Sequence, residues 1–114
     1  MATIRICNMH FYAHHGCYDT EQKVGTHFSV DLEFDYDSSK AETSDDINDA
    51  VSYLDVYQIV KNEMSEPSHL IENVAYRIKK AVGTQYPQAR DIKVRLYKLN
   101  PPLGGQVEKV CVEL

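Results

Sequence analysis

The sequence predicts an α+β domain with four strands and two helices in the order β-β-α-α-β-β. Three observations lead there. Segments with an apolar residue at every second position lie towards both ends of the 114-residue chain. The middle of the chain switches to the three- and four-residue spacing of helices. No repeat, linker or low-complexity tract divides it, and its length suits one domain over residues 1–114. The expected architecture is a four-stranded, mostly antiparallel sheet with both helices on one face.

Taken in order, residues 3–12 alternate loosely and predict the first strand. Residues 27–36, HFSVDLEFDY, alternate cleanly: Phe28, Val30, Leu32, Phe34 and Tyr36 take one face, His27, Ser29, Asp31, Glu33 and Asp35 the other. A helical turn is expected near Ser38 to Ala41, and the acidic run ETSDDINDA at 42–50 reads as a solvated loop. From Leu54 to Met64, apolar residues recur at Val56, Tyr57, Val60 and Met64; from Leu70 to Val82 they recur at Ile71, Val74, Ala75, Ile78 and Ala81. Ser68 is the expected N-cap of the second helix, with Glu72 in its first turn complementing the helix dipole. In DIKVRL, Ile92, Val94 and Leu96 oppose Lys93, Arg95 and Tyr97, and residues 107–114 close the set with Val110, Val112 and Leu114 on one side.

The second face of this sheet is polar, carrying Arg5, His27, Asp31, Glu33, Lys93 and Arg95. Two edge strands are also left with unpaired backbone groups. A ring in which edges pair between subunits and the polar face lines a wet interior resolves both difficulties. A net charge of −5 without a basic stripe excludes nucleic-acid and anionic-membrane surfaces as partners. No apolar run approaches membrane-spanning length. Three cysteines without a pairing motif, and a start lacking the apolar stretch of a secretion signal, predict a reduced, cytosolic protein.

The third strand ends oddly. Lys98 has the parity of the apolar face, and Asn100-Pro101-Pro102 follows directly. Either a frayed strand end lets the amine bend out to water, or the apolar stripe delivers an ammonium group to a site and the prolines aim it by removing backbone freedom. Glu72 is similarly double: it lies off the apolar stripe of its helix, as an exposed dipole-complementing residue would, unless that surface is an interface. Tyr53 and Tyr57, one helical turn apart, fit ordinary core aromatics or a pocket wall. Gly16 suits a positive-φ turn or a close approach to a ligand.

The segments FYAHHGCYDTEQKVG (11–25), AVSYLDV (50–56), HLIENVA (69–75) and YKLNPPLGG (97–105) together resemble the dihydroneopterin aldolases over essentially the whole chain. Those enzymes carry Tyr-Gly-x-His-Gly, a Glu shortly before a Gly, an isolated Tyr opening the first helix, Leu-Leu-Glu opening the second, and Lys-x-x-Pro-Pro at a strand end. Ala13 departs from the first motif. The resemblance implies the tunnelling fold, a homo-oligomeric ring of four subunits or two such rings stacked, and active sites at the interfaces. It implies Lys98 as the catalytic amine, with Glu21 as its carboxylate partner from a neighbouring subunit. Tyr53 would stack on and assist the pterin, Glu72 would grip the amino-pyrimidine edge, and backbone groups near Val51 and Ile71 would complete the pocket.

The implied reaction is retro-aldol cleavage of 7,8-dihydroneopterin, a step of folate biosynthesis, to 6-hydroxymethyl-7,8-dihydropterin and glycolaldehyde. The substrate's conjugated N5=C6 imine is its own electron sink, so no cofactor, metal or Schiff base is expected. An apolar setting disfavours the ammonium form of Lys98, and Glu21 nearby opposes that. His10, His14 and His15 invite comparison with the three-histidine zinc site of the pyruvoyl-tetrahydropterin synthases, but His15 points away from the other two along a strand and no His-x-His follows. Two rivals stand beside the aldolase: TSDDINDAVSY is similar to the dihydroneopterin triphosphate 2′-epimerases, and a non-catalytic pterin- or purine-binding ring needs Glu72 and Tyr53 but no positioned base.

Overall fold

The computed structural model describes residues 1–114. Strands β1 (Ala2–Ala13), β2 (Thr26–Tyr36), β3 (Arg90–Leu99) and β4 (Lys109–Glu113) form one sheet in the order β1-β2-β3-β4, and every neighbouring pair is antiparallel. The loose alternation of the first strand has a local cause. The β1/β2 register shifts between Ile6 and Met9, with Asn8 at φ 56° and its N–H donating to Asp31 Oδ1 at 2.7 Å. This bulge flips the parity. Ile4 and Ile6 pack on the core before it, and Met9, Phe11 and Ala13 do so after it.

Helices α3 (Tyr53–Ser65) and α4 (Ile71–Gln85) cover the apolar face of the sheet. Val56, Val60 and Met64 from α3 and Val74, Ala75, Ile78 and Val82 from α4 close over Phe28, Val30, Leu32, Phe34, Val94 and Leu96. Each large apolar side chain buried there contributes roughly 1.5–3 kcal/mol relative to exposure. The sheet is thereby a rigid base for whatever β3 carries at its end. Ser52 caps α3, its hydroxyl accepting from the Asp55 N–H at 3.4 Å.

Four local expectations are corrected. Ser68 does not cap α4: Leu70 occupies the N-cap position and makes no side-chain cap bond. Ser68 is instead drawn into a buried junction, where its hydroxyl donates to Asn73 Oδ1 at 2.7 Å and accepts from Arg77 at 3.0 Å. A short helix, α1 (Asp19–Val24), stands where no helix was expected, because it buries no residue and so has no apolar stripe to reveal it. Gly25, at φ 81°, ends it with an N–H bond to the Glu21 carbonyl, a conformation that glycine adopts without the steric cost of a Cβ. The helical turn expected near Ser38 to Ala41 is α2 (Ser39–Ser44), but the acidic stretch after it is not all loop, since α2 runs into it and a 3-10 turn follows at Ile47–Asp49, and β4 begins at Lys109, later than expected.

The opposite sheet face is polar, as expected. Glu33 pairs with Arg95 at 3.0 Å and with Arg5 at 3.6 Å, and the Tyr97 hydroxyl donates to Asp31 at 3.2 Å. The outer edges of β1 and β4 have no partner strand within the chain. No helix is long and apolar enough to cross a membrane.

Candidate active site

Register decides where Lys98 goes. It sits opposite Phe28 on β2 and Val110 on β4, so its side chain leaves the sheet on the helix-covered side. The amine does not bend out to water: the side chain is 16% exposed and Nζ lies 2.7 Å from Glu21 Oε2 and 6.0 Å from the Phe28 ring centre. Beyond it, Asn100 turns at φ 50° with its N–H bonded to the Glu108 carbonyl at 2.8 Å, and Pro101 is buried. The strand end is therefore fixed on both sides of the lysine.

Glu21 is supplied by α1 of the same chain, where a neighbouring subunit's carboxylate was expected. It approaches because Gly16 has no side chain: a Cβ there would fall 2.5 Å from Glu21 Cβ and 2.5 Å from its Cδ. Gly16 thus serves a close approach, though to a side chain and without a positive φ. The hydrogen bond from Lys98 is the main reason the Glu21 carboxyl is held below the usual range, and burial opposes it. The resting pair is an ammonium donating to a carboxylate, a short charge-assisted bond.

This pair forms one end of an open cleft of about 470 Å³. One wall is Cys17, Tyr18, Thr20 and Glu21, a second is His69 to Glu72, and the third is Lys98 with Pro101, Pro102 and Leu103. Its size falls in the range of small-molecule sites. Glu72, in the first turn of α4, is exposed on the wall it shares with Ile71. Tyr53 and Val51 do not line this cleft. Val51 is in the core, whereas Tyr53 is 67% and Leu54 71% exposed at the start of α3, so neither belongs to the apolar stripe. Of Tyr53 and Tyr57, only Tyr57 is partly covered, stacked on Phe11 at 5.9 Å.

The three histidines do not converge. His10 is exposed, His14 meets the Gln22 carbonyl through Nδ1 at 2.9 Å, and His15 is fully buried against Phe28. His15 Nδ1 accepts from the Ser68 N–H at 3.2 Å, and Nε2 is buried without a hydrogen-bond partner. Burial lowers its pKa to about 4, the Arg77 guanidinium adds to the drop, and the Met64 backbone opposes it. His15 is thus a neutral pin between the loop after β1 and the loop before α4. Its role and those of Gln22, Ser68 and Arg77 had no signal in spacing, since each depends on a partner distant in sequence.

An ion-paired lysine and glutamate at a strand end, lining one small cleft with a second carboxylate, give this α+β scaffold an acid–base pair beside room for a small molecule. Comparison with known proteins agrees with this fold and gives the chain a family. The family model for dihydroneopterin aldolase (FolB) matches residues 4–114. The dihydroneopterin aldolase of Staphylococcus epidermidis is 40% identical over 107 residues, covering 93% of this chain and 88% of its own. That of Bacillus subtilis is 32% identical over 115 residues, covering 100% and 96%. The crystal structure of E. coli dihydroneopterin aldolase in complex with neopterin shares the fold, with a TM-score of 0.89 over 100% of this chain and 99% of that one at 24% identity. The chain belongs to the dihydroneopterin aldolase family and has its tunnelling fold.

Proposed function

We propose that this chain, one tunnelling-fold domain over residues 1–114, is a dihydroneopterin aldolase of folate biosynthesis that works by general acid–base catalysis. The carrying observation is the Lys98–Glu21 pair at 2.7 Å, which lines the same cleft as Glu72. Glu72 accepts two parallel N–H bonds from the pterin's 2-amino group and N3–H, a geometry suited to a carboxylate. The backbone at Ile71 borders the same edge. The trihydroxypropyl tail then points towards Lys98.

Cleavage removes the proton of the 2′-hydroxyl as the C1′–C2′ bond breaks. The C2′–C3′ fragment leaves as glycolaldehyde, and the bonding pair moves into C1′=C6 while the N5=C6 electrons settle on N5. Proton delivery to C1′ restores the imine and completes 6-hydroxymethyl-7,8-dihydropterin. Lys98, having first passed its resting proton to water, takes the hydroxyl proton as the neutral amine, directly or through water, and the ammonium so formed, held by Glu21, delivers a proton to C1′. The heterocycle supplies the electron sink, so Lys98 has no need to attack it.

Tyr53 and the backbone near Val51 reach a cleft from a neighbouring protomer in this reading. Support comes from the exposed Tyr53 and Leu54 side chains and from the two unpaired sheet edges, which a closed ring covers. The ring is a tetramer, or an octamer of two stacked rings. Three cysteines without disulfides agree with a reducing, cytoplasmic setting. The test is product analysis: protein incubated with 7,8-dihydroneopterin releases glycolaldehyde in step with hydroxymethyldihydropterin. Formation of the 2′ epimer alone favours the epimerase, and binding without any turnover favours the pterin-binding ring.

A further inference from the structure

The helix that carries Glu21 is not held by the core. It has six residues and buries none of them, so polar contacts must fix its position. One is the Lys98–Glu21 pair itself. Another is the Tyr12 hydroxyl donating to the Val24 carbonyl. The remaining ones converge on Gln22, the residue after Glu21.

The Gln22 amide nitrogen lies 3.0 Å from the Gly16 carbonyl and 3.1 Å from His69 Nδ1. A carbonyl only accepts, which identifies the group facing it as NH2; its second hydrogen then meets Nδ1, so Nδ1 accepts and the His69 ring proton sits on Nε2. The Gln22 main-chain carbonyl accepts from His14 Nδ1 at 2.9 Å. At the base of the same junction, the Gly16 N–H donates to the Ser68 carbonyl at 2.9 Å and Cys17 Sγ to the His69 carbonyl at 3.3 Å. His69 opens the wall that ends in Glu72.

We infer that the Gln22–His69 contact is a strap across the end of the cleft, through which Gln22 acts as a positioning residue that keeps the Glu21 wall in register with the Glu72 wall. The inference rests on the aldolase reading above. Glu72 and Lys98 contact opposite ends of one substrate, so a shift between walls leaves heterocycle binding nearly intact but misplaces the reacting tail. Misplacement by about 1 Å costs on the order of 10²-fold in rate. A strap at the rim, backed by main-chain bonds at its base, is expected to cost less when cut, about tenfold.

The experiment compares wild type with Gln22→Met, His69→Leu, the double variant and His69→Asn, measuring kcat for dihydroneopterin and Kd for hydroxymethyldihydropterin. Gln22→Met and His69→Leu each lower kcat about tenfold with Kd within about threefold, and the double variant is no worse than either. His69→Asn, whose side-chain oxygen replaces Nδ1 as acceptor, stays within about twofold of wild type. Wild-type kcat in Gln22→Met, additive losses, or equal impairment of His69→Asn and His69→Leu overturns the inference. Hydrogen exchange reads the strap independently of turnover: amides of Asp19–Val24 exchange faster in Gln22→Met, and unchanged exchange overturns it. A wild-type chain that releases no glycolaldehyde overturns the aldolase reading alone.

Discussion

Protonating His15 is expected to destabilise the fold by an amount that the structure sets. The imidazole is fully buried, its Nδ1 accepts the Ser68 N–H, and its pKa falls from 6.5 to about 4. In the unfolded chain the same ring titrates near 6.5, so between pH 4 and 6.5 the unfolded state binds more protons and stability is lost as pH falls. The contribution is complete above pH 6.5 and is lost as pH drops through 4. A drop from 6.5 to about 4 corresponds to about 3 kcal/mol, of which about 2 kcal/mol is gone by pH 5. His15→Asn isolates the effect, because its side-chain oxygen can still accept from Ser68 but does not titrate. Urea unfolding at one fixed protein concentration, followed by far-UV circular dichroism since the chain has no tryptophan, gives both stabilities across pH. The variant is less stable at pH 7.5, having lost packing against Phe28, and its deficit shrinks by about 2 kcal/mol at pH 5. A deficit that stays constant from pH 7.5 to 4.5 refutes the reasoning.

Gly16→Ala places a methyl group 2.5 Å from Glu21 Cβ, so the carboxylate must leave Lys98. Turnover should fall as far as in Glu21→Ala, at least tenfold, with the double variant no lower; wild-type turnover in Gly16→Ala counts against the close approach. The unpaired edges of β1 and β4 and the exposed Tyr53 and Leu54 lead to a mass in solution of four or eight chains. A monomeric mass at micromolar concentration contradicts the ring.

How much of this was legible depends on whether a residue's neighbours lie near it in sequence. The parity of Lys98 followed from Ile92, Val94 and Leu96, because a strand repeats every two residues and β3 keeps its register from Lys93 to Lys98. Strand β1 was blurred by its bulge at Asn8, which leaves neither even nor odd positions consistently apolar. Helix α1 was invisible, since a six-residue helix with no buried face leaves no periodic trace. Glu72 lies off the apolar stripe of α4, as the helical wheel indicated, while Tyr53 resolves to the surface. The 2.7 Å approach of Glu21 to Lys98 spans 77 positions and was reached only through family resemblance, which expected the carboxylate from a neighbouring subunit. Ser68 looked like a cap because caps are local; Arg77, Asn73 and His15, which claim it, are tertiary partners.

The central claim is that Lys98 moves protons for a substrate held by other groups. The direct measurement is Lys98→Ala, comparing the Kd of hydroxymethyldihydropterin with single-turnover cleavage of dihydroneopterin at saturating enzyme. Binding is expected within about tenfold of wild type and cleavage slower by about two decades or more. Cleavage at the wild-type rate contradicts the account.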